Sequence, residues 1–165
     1  MPTTIKYIKG DATKPIQKEG RVCVIPHICN DIGGWGKGFV LALSRAWKEP
    51  ELEYKKWFKE QSDPAAGPFE LGNVQFVTVS NGKIVIANII GQHTIWKSKD
   101  GNPPIRYNAV ESGLEKVAQY CLNNNGDVHA PKFGSDLAGG DWNKIEQMII
   151  EKLCSKEIPV TVYLF

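Results

Sequence analysis

The sequence is short of several things, and each shortage removes a class of function. Its formal net charge is only +2, with 20 basic residues scattered among 18 acidic ones. It therefore lacks the massed positive face that a duplex nucleic acid requires. No apolar run approaches the roughly 20 residues that span a bilayer, and the opening MPTTIKYIKGDATKP has neither the basic stretch nor the apolar core of a secretory signal. The reading is a cytoplasmic chain with no membrane partner, and nucleic acid is not an expected ligand. Cys23, Cys29, Cys121 and Cys154 are spread without CxxC spacing or a neighbouring histidine cluster, which argues for buried free thiols and against a zinc site. There is no GxxxxGK(S/T) and no GxGxxG, so nucleotide hydrolysis of the Walker type and hydride transfer on a dinucleotide fold are disfavoured. No metal and no cofactor is expected.

What is present is the material of one α/β domain over residues 1–165. Apolar residues make up 42% of the chain and charged residues 23%, a globular balance at a length that covers a sheet on both faces. Ile5 to Lys9 and Val22 to Pro26 read as strands, the second central. Gly36 to Trp47 and Glu51 to Gln61 carry apolar residues at helical spacing, giving two helices broken at Pro50. Val74 to Val79 and Ile84 to Ile90 flank Ser80-Asn81-Gly82-Lys83, a strong hairpin signal. A helix follows from Tyr107 through Cys121 to the Asn123-Asn124-Asn125-Gly126 stop. Then come a strand at Asp127 to Pro131, a helix at Trp142 to Cys154 and a strand at Val160 to Phe165. Helices interleaved with strands imply a partly parallel sheet covered on both faces, with one antiparallel hairpin.

Two segments share a design. Asn30-Asp31-Ile32-Gly33-Gly34-Trp35-Gly36-Lys37-Gly38 and Gly134-Ser135-Asp136-Leu137-Ala138-Gly139-Gly140-Asp141-Trp142 each follow a strand and open a helix. Glycines admit a phosphate close to the backbone, and the first helical turn offers unpaired amides and a positive dipole end. Two such loops on neighbouring strands can grip a diphosphate from both sides. The alternative is that the glycines only make tight turns.

Gly10-Asp11-Ala12-Thr13, His27-Ile28-Cys29-Asn30 with its glycine-rich continuation, and Pro131-Lys132-Phe133-Gly134 leading to Leu137-Ala138-Gly139-Gly140-Asp141-Trp142 resemble the macro domain, in matching order across nearly the whole chain. The similarity is to the branch of the ADP-ribose 1''-phosphate phosphatase and the terminal ADP-ribose protein glycohydrolase. That resemblance implies a three-layer α/β/α sandwich on a mixed, mostly parallel sheet of about six strands. It implies as ligand ADP-ribose or ADP-ribose 1''-phosphate, free or as ADP-ribosylated protein. By the same resemblance Asp11, with the backbone of Ala12, accepts the adenine amino group, and Tyr163 or Phe165 stacks on the ring. The diphosphate falls to Gly33, Gly34, Gly36, Lys37, Gly38, Gly134, Ser135, Leu137, Ala138, Gly139 and Gly140. Trp35 covers the diphosphate or the distal ribose, or else plugs the loop against its helix. Asn30 orients the distal ribose or is a turn asparagine. His27 is either a general acid or base at near-neutral pKa or a structural histidine.

The branch's catalytic lysine and aspartate correspond to Gly91 and Ala138 here, so a covalent lysine route is not expected; Asp136, two residues earlier, is the substitute acid. Three functions are left open. The first is hydrolysis of ADP-ribose 1''-phosphate or of an ADP-ribosyl ester through Asn30, Asp136 and His27. The second is a reader that binds without turnover. The third, an RNA or poly(A) binder, has the least behind it.

Overall fold

Six strands in the order β1-β8-β7-β2-β6-β5 form the central sheet of the protein, seen in a computed structural model that describes residues 1–135 and 138–165. In chain order the elements are β1 (Ile5–Lys9), β2 (Val22–Asn30), α1 (Phe39–Ala46), α2 (Glu49–Glu60), β3 (Ser62–Asp63), β4 (Gly67–Pro68), β5 (Val74–Val79), β6 (Ile84–Gln92), α3 (Tyr107–Asn124), β7 (Gly126–Pro131), α4 (Trp142–Lys152) and β8 (Val160–Leu164). Every pairing in the large sheet is parallel except β5 with β6. β3 and β4 make a separate two-stranded ribbon that the sequence patterns did not signal.

The central strands are apolar on both faces because helices cover both. Period-two alternation sends Cys23, Ile25 and Cys29 of β2, with Ile84, Ile86 and Ile90 of β6, against Val40 and Leu43 of α1 and Tyr54 and Trp57 of α2. The intervening Val24, Ala87 and Ile89 pack against Val110, Leu114 and Val117 of α3 and Ile145 and Ile149 of α4. Three layers result, α/β/α, as expected.

Most elements shift a boundary by one to four residues from the sequence reading, and two of the shifts bear on the site. β2 runs four residues further, to Asn30, so the first glycine-rich loop is anchored directly on a central strand. The break between the first two helices falls at Trp47–Lys48, with Trp47 extended, while Pro50 sits in the first turn of α2. Proline needs no intrahelical acceptor there, so it starts the helix instead of ending one.

The chain leaves β2 toward α1 on one face and leaves the adjacent β7 toward α4 on the other. Loops that diverge from neighbouring parallel strands open a crevice at their carboxyl ends, the place where open α/β sheets hold ligands. Among the described residues, no helix is long and apolar enough to cross a membrane.

Candidate functional site

A cavity of about 560 Å³ occupies that crevice. Its walls are the end of β2 (His27 to Asn30), Gly34 to Gly38 of the first glycine-rich loop with Phe39 and Val40, Gln92 at the end of β6 with Ile95 and Trp96 beyond it, and Pro131 to Gly134 with Ala138 from the second loop. Lys37 and Lys132 line it, and no carboxylate does among the described residues. The charge balance suits an anion.

The first loop presents its backbone to this space. Gly38 caps α1 with a positive φ of 83° and no side chain that could accept from the helix amides. The N–H groups of Gly36, Lys37, Gly38, Phe39 and Val40 have no acceptor among the described residues. These are the unpaired donors and the positive dipole end expected of an anion site. The second loop differs from expectation. Asp141 caps α4 by accepting from Asn143 N at 2.9 Å, so the start of that helix is closed to a phosphate by a carboxylate. Gly140 N is also spent, on Gly134 O at 2.8 Å, in a contact so close that a Cβ at Gly140 would lie 2.3 Å from that oxygen. Ser135 bonds back to Lys132 O, and Ala138 O accepts from Ile105 N. Asp136 and Leu137 lie outside the described residues.

Asn30 borders the cavity, but its amide holds the loop together. Oδ1 accepts from Ile32 N (3.1 Å), Gly34 N (2.9 Å) and the Tyr54 hydroxyl (3.0 Å), while Nδ2 donates to Gly34 O (2.9 Å). Tyr54, fully buried on α2, also donates to Asn30 O at 2.6 Å. One Nδ2 hydrogen is left without a partner among the described residues, and the other bonds of the amide fix the loop's shape. Trp35 is held in the same way: its indole N–H donates to Ser44 Oγ (2.8 Å), which in turn donates to Glu51 (3.1 Å). At 7% exposure it both plugs the loop and lines the cavity.

His27 does not have the near-neutral pKa expected of it. Burial lowers it from 6.5 to about 4, only partly opposed by its hydrogen bond with Asn88. The imidazole is neutral at pH 7 and belongs to a buried polar row across three strands, since Asn88 Nδ2 donates to Gln75 Oε1 at 3.1 Å. Burial likewise pushes the Cys29 thiol well above its ordinary pKa, and all four cysteines are buried and unpaired. The position of Gly91 is tight for any side chain, because a Cβ there would meet Val110 at 3.0 Å and Ile28 at 3.1 Å, so those side chains would have to shift to admit the branch's lysine.

Tyr163 and Phe165 lie at the end of β8, which pairs with β7, while Asp11 and Ala12 follow β1, one strand further out; none of the four is among the residues that line the cavity. Asp11 Oδ1 caps its own turn, accepting from Thr13 N (2.9 Å) and Thr13 Oγ1 (2.8 Å), and Oδ2 has no partner among the described residues. Ala12 is buried. Tyr163 is pinned by its hydroxyl between Ile16 N (2.9 Å) and His129 Nδ1 (2.8 Å), so its ring is fixed. Phe165 stands wholly in solvent.

The loop after β6 carried no motif and was missed. Asp31 ties it to the first glycine-rich loop, accepting from Thr94 N at 2.8 Å and pairing with His93 Nδ1 at 2.7 Å. Its other end packs Pro103 and Ile105 on the second loop. Between these ties Ile95 (48% exposed) and Trp96 (65% exposed) stand at the cavity wall. Their exposure beside a cavity is a property of the folded chain and leaves no mark in the sequence. Among the described residues no group of three or more His, Cys, Asp or Glu side chains could hold a metal ion.

Comparison with known proteins adds relatives to this geometry. No family model matches the chain. Chromodomain-helicase-DNA-binding protein 1-like of Danio rerio is 29% identical over 173 residues, covering 99% of this chain and 16% of that protein. The chain thus spans about a sixth of the length of the first curated relatives it matches. The ADP-ribose 1''-phosphate phosphatase of Lodderomyces elongisporus is 24% identical, covering 96% of this chain and 98% of that one. A solved structure of a protein of unknown function from Bacteroides thetaiotaomicron is 56% identical with a TM-score of 0.90, covering 96% of each chain. The structure of a macrodomain protein from Streptomyces coelicolor is 44% identical with a TM-score of 0.82, covering 98% of this chain and 99% of that one. With that identity over both full lengths, and with the sheet order and twin glycine-rich loops described above, this chain belongs to the macrodomain family.

Proposed function

We propose that the cavity binds ADP-ribose, with the diphosphate on the amides of Gly36 to Val40, the distal ribose toward Asn30 and Trp96, and adenine at the Asp11 end. The observation that carries this reading is the run of five unpaired amides at the uncapped start of α1, bordering a carboxylate-free cavity with Lys37 and Lys132 on its walls. Asp11 suits adenine because Oδ1 is occupied by the turn while Oδ2 is left to accept from an exocyclic amine. Calorimetry tests it. ADP-ribose binds the parent, and Asp11→Asn, which keeps the Oδ1 cap but places a donor at the other position, weakens ADP-ribose while sparing ribose 5-phosphate. Failure of the parent to bind ADP-ribose overturns the reading.

A hydrolytic role for the same site is favoured by a separate observation, the Asp31–His93 pair. A carboxylate on Nδ1 orients the imidazole and leaves Nε2 to take a proton from water. In ADP-ribose 1''-phosphate that water attacks phosphorus, the P–O1'' bond breaks, and ADP-ribose and orthophosphate leave. The full-length similarity to a phosphatase of that name supports the substrate. Asp136 remains the second candidate acid, and His27, neutral and engaged by Asn88, supports the site without exchanging protons at pH 7. Orthophosphate release that falls about 100-fold or more in His93→Ala supports hydrolysis. Tight binding with no release in the parent makes the domain a reader.

A further inference from the structure

β5 is an outer strand of the sheet, paired with β6 alone. Ile90 N donates to Asn73 O at 3.0 Å, which sets the phase of the antiparallel ladder. Gln75, Val77 and Val79, opposite Asn88, Ile86 and Ile84, are the positions that bond inward. The N–H and C=O groups of Val74, Phe76 and Thr78 therefore point away from the sheet, and they have no partner among the described residues. They open onto a groove of about 840 Å³ between α2 and α3. Natural edges are usually blunted by a charge, a proline or a cover. The strand Val-Gln-Phe-Val-Thr-Val has neither proline nor charge.

The groove is asymmetric. Glu49 and Glu53 of α2, with Asp63, form one wall. On the other, Phe76 stacks on Tyr120 with ring centroids 4.2 Å apart, and Lys116, the one basic side chain lining the groove among the described residues, donates to Gly72 O at 2.8 Å. We propose that this edge receives an extended basic segment of another polypeptide as a seventh strand. Its lysine or arginine side chains lie against Glu49 and Glu53, and its alternate apolar side chains lie against Phe76 and Tyr120. Charge decides against a second copy of this chain. Antiparallel pairing of two β5 edges would set the acidic wall of one copy beside that of the other, where like charges repel.

The direction of the added strand connects it to the cavity. A segment antiparallel to β5 runs with β6, so its carboxyl end leaves beside Val74, at the end of the sheet where the cavity opens. Three strand spacings, about 14 Å, separate it from β2, a gap that four or five extended residues cross. On the proposed function, which this step presupposes, the segment belongs to an ADP-ribosylated protein and lies just N-terminal to the modified residue.

The probe is an unmodified eight-residue peptide of alternating lysine and valine, followed by fluorescence anisotropy and by amide chemical shifts of the full chain. Shifts are expected at Val74, Phe76 and Thr78. Thr78→Pro removes one outward N–H, a change edge strands accept, and weakens the peptide at least tenfold while ADP-ribose affinity stays unchanged. The double variant Glu49→Lys with Glu53→Lys does the same. Should Thr78→Pro fail to fold, a peptide N-methylated on the residues facing β5 makes the same measurement on the parent, with the same tenfold loss. The proposal is overturned by absence of peptide binding, by indifference to Thr78→Pro or to N-methylation, by equal binding of a glutamate–valine peptide, or by a parent that sediments as a β5-paired dimer. Peptide docking on a parent that does not bind ADP-ribose leaves the edge site standing and removes only the ligand reading.

Discussion

Gly36 separates a glycine kept for the fold from a glycine kept for a ligand. A Cβ built at Gly36 meets nothing within 4 Å, and the residue's φ is not in the left-handed region, so neither packing nor backbone conformation demands glycine there. It borders the cavity and opens the run of unpaired amides. Gly33, three residues earlier, is the opposite case: its φ is 78° and a Cβ would lie 2.4 Å from the Phe58 ring. Gly36→Ala should therefore leave stability unchanged or raise it by about 0.4–1 kcal/mol, through the lower entropy of the unfolded chain. If a phosphate approaches this backbone, the added side chain displaces it from one or two amides. At about 1.5–3 kcal/mol for a hydrogen bond to a charged group, the loss of one bond is about 10- to 150-fold in affinity and the loss of two is about 150-fold or more. Gly36→Val should fall at the upper end, and Gly33→Ala should lose about 1–3 kcal/mol of stability. Titration calorimetry with ADP-ribose beside thermal unfolding reads both quantities. Parent-like affinity in both Gly36 variants, with unchanged melting, would refute the argument and reduce the first loop to a turn.

Tyr54→Phe removes the hydroxyl that donates to Asn30 O and Oδ1; denaturant unfolding should show a loss of about 1–3 kcal/mol, and ADP-ribose affinity should fall with it because the loop loses its anchor. The depressed pKa of His27 makes stability depend on pH in one direction. Above pH 6.5 neither the folded nor the unfolded chain binds the proton, and the contribution is complete; as pH falls from 6.5 toward 4 the unfolded chain takes up a proton that the folded chain refuses. About 2.5 kcal/mol should be lost by pH 4.5. His27→Gln should flatten most of that slope in urea titrations, and the remainder carries the same sign from His129, whose pKa burial also lowers. A parent whose unfolding midpoint is level between pH 7 and 4.5 would contradict the buried, neutral assignment.

The sequence by itself determined the layers. Period-two runs in Val74–Val79 and Val160–Leu164, helical spacing in α3 and α4, and the Asn81-Gly82 turn are local signals, and each element formed within a few residues of its expected place. The twin glycine-rich loops were legible for the same reason, since a short motif between a strand and a helix announces its own backbone. Only the tertiary structure decided how those residues are used. Asn30 was marked for a sugar, but Tyr54, 24 positions along the chain, reaches under the loop and takes its carbonyl and amide oxygens. His27 looks titratable in sequence and is neutral because the folded chain buries it, an effect that its hydrogen bond with Asn88, 61 positions away, opposes only in part. The two helix starts looked alike until Asp141 proved to cap one while Gly38 leaves the other bare. Asp31 and His93, from loops 62 residues apart, meet only because β2 and β6 are neighbours in the sheet. Local pattern fixes which backbone forms, because that choice depends on adjacent residues. Burial, protonation and hydrogen-bond allegiance depend on partners that only the folded chain brings near.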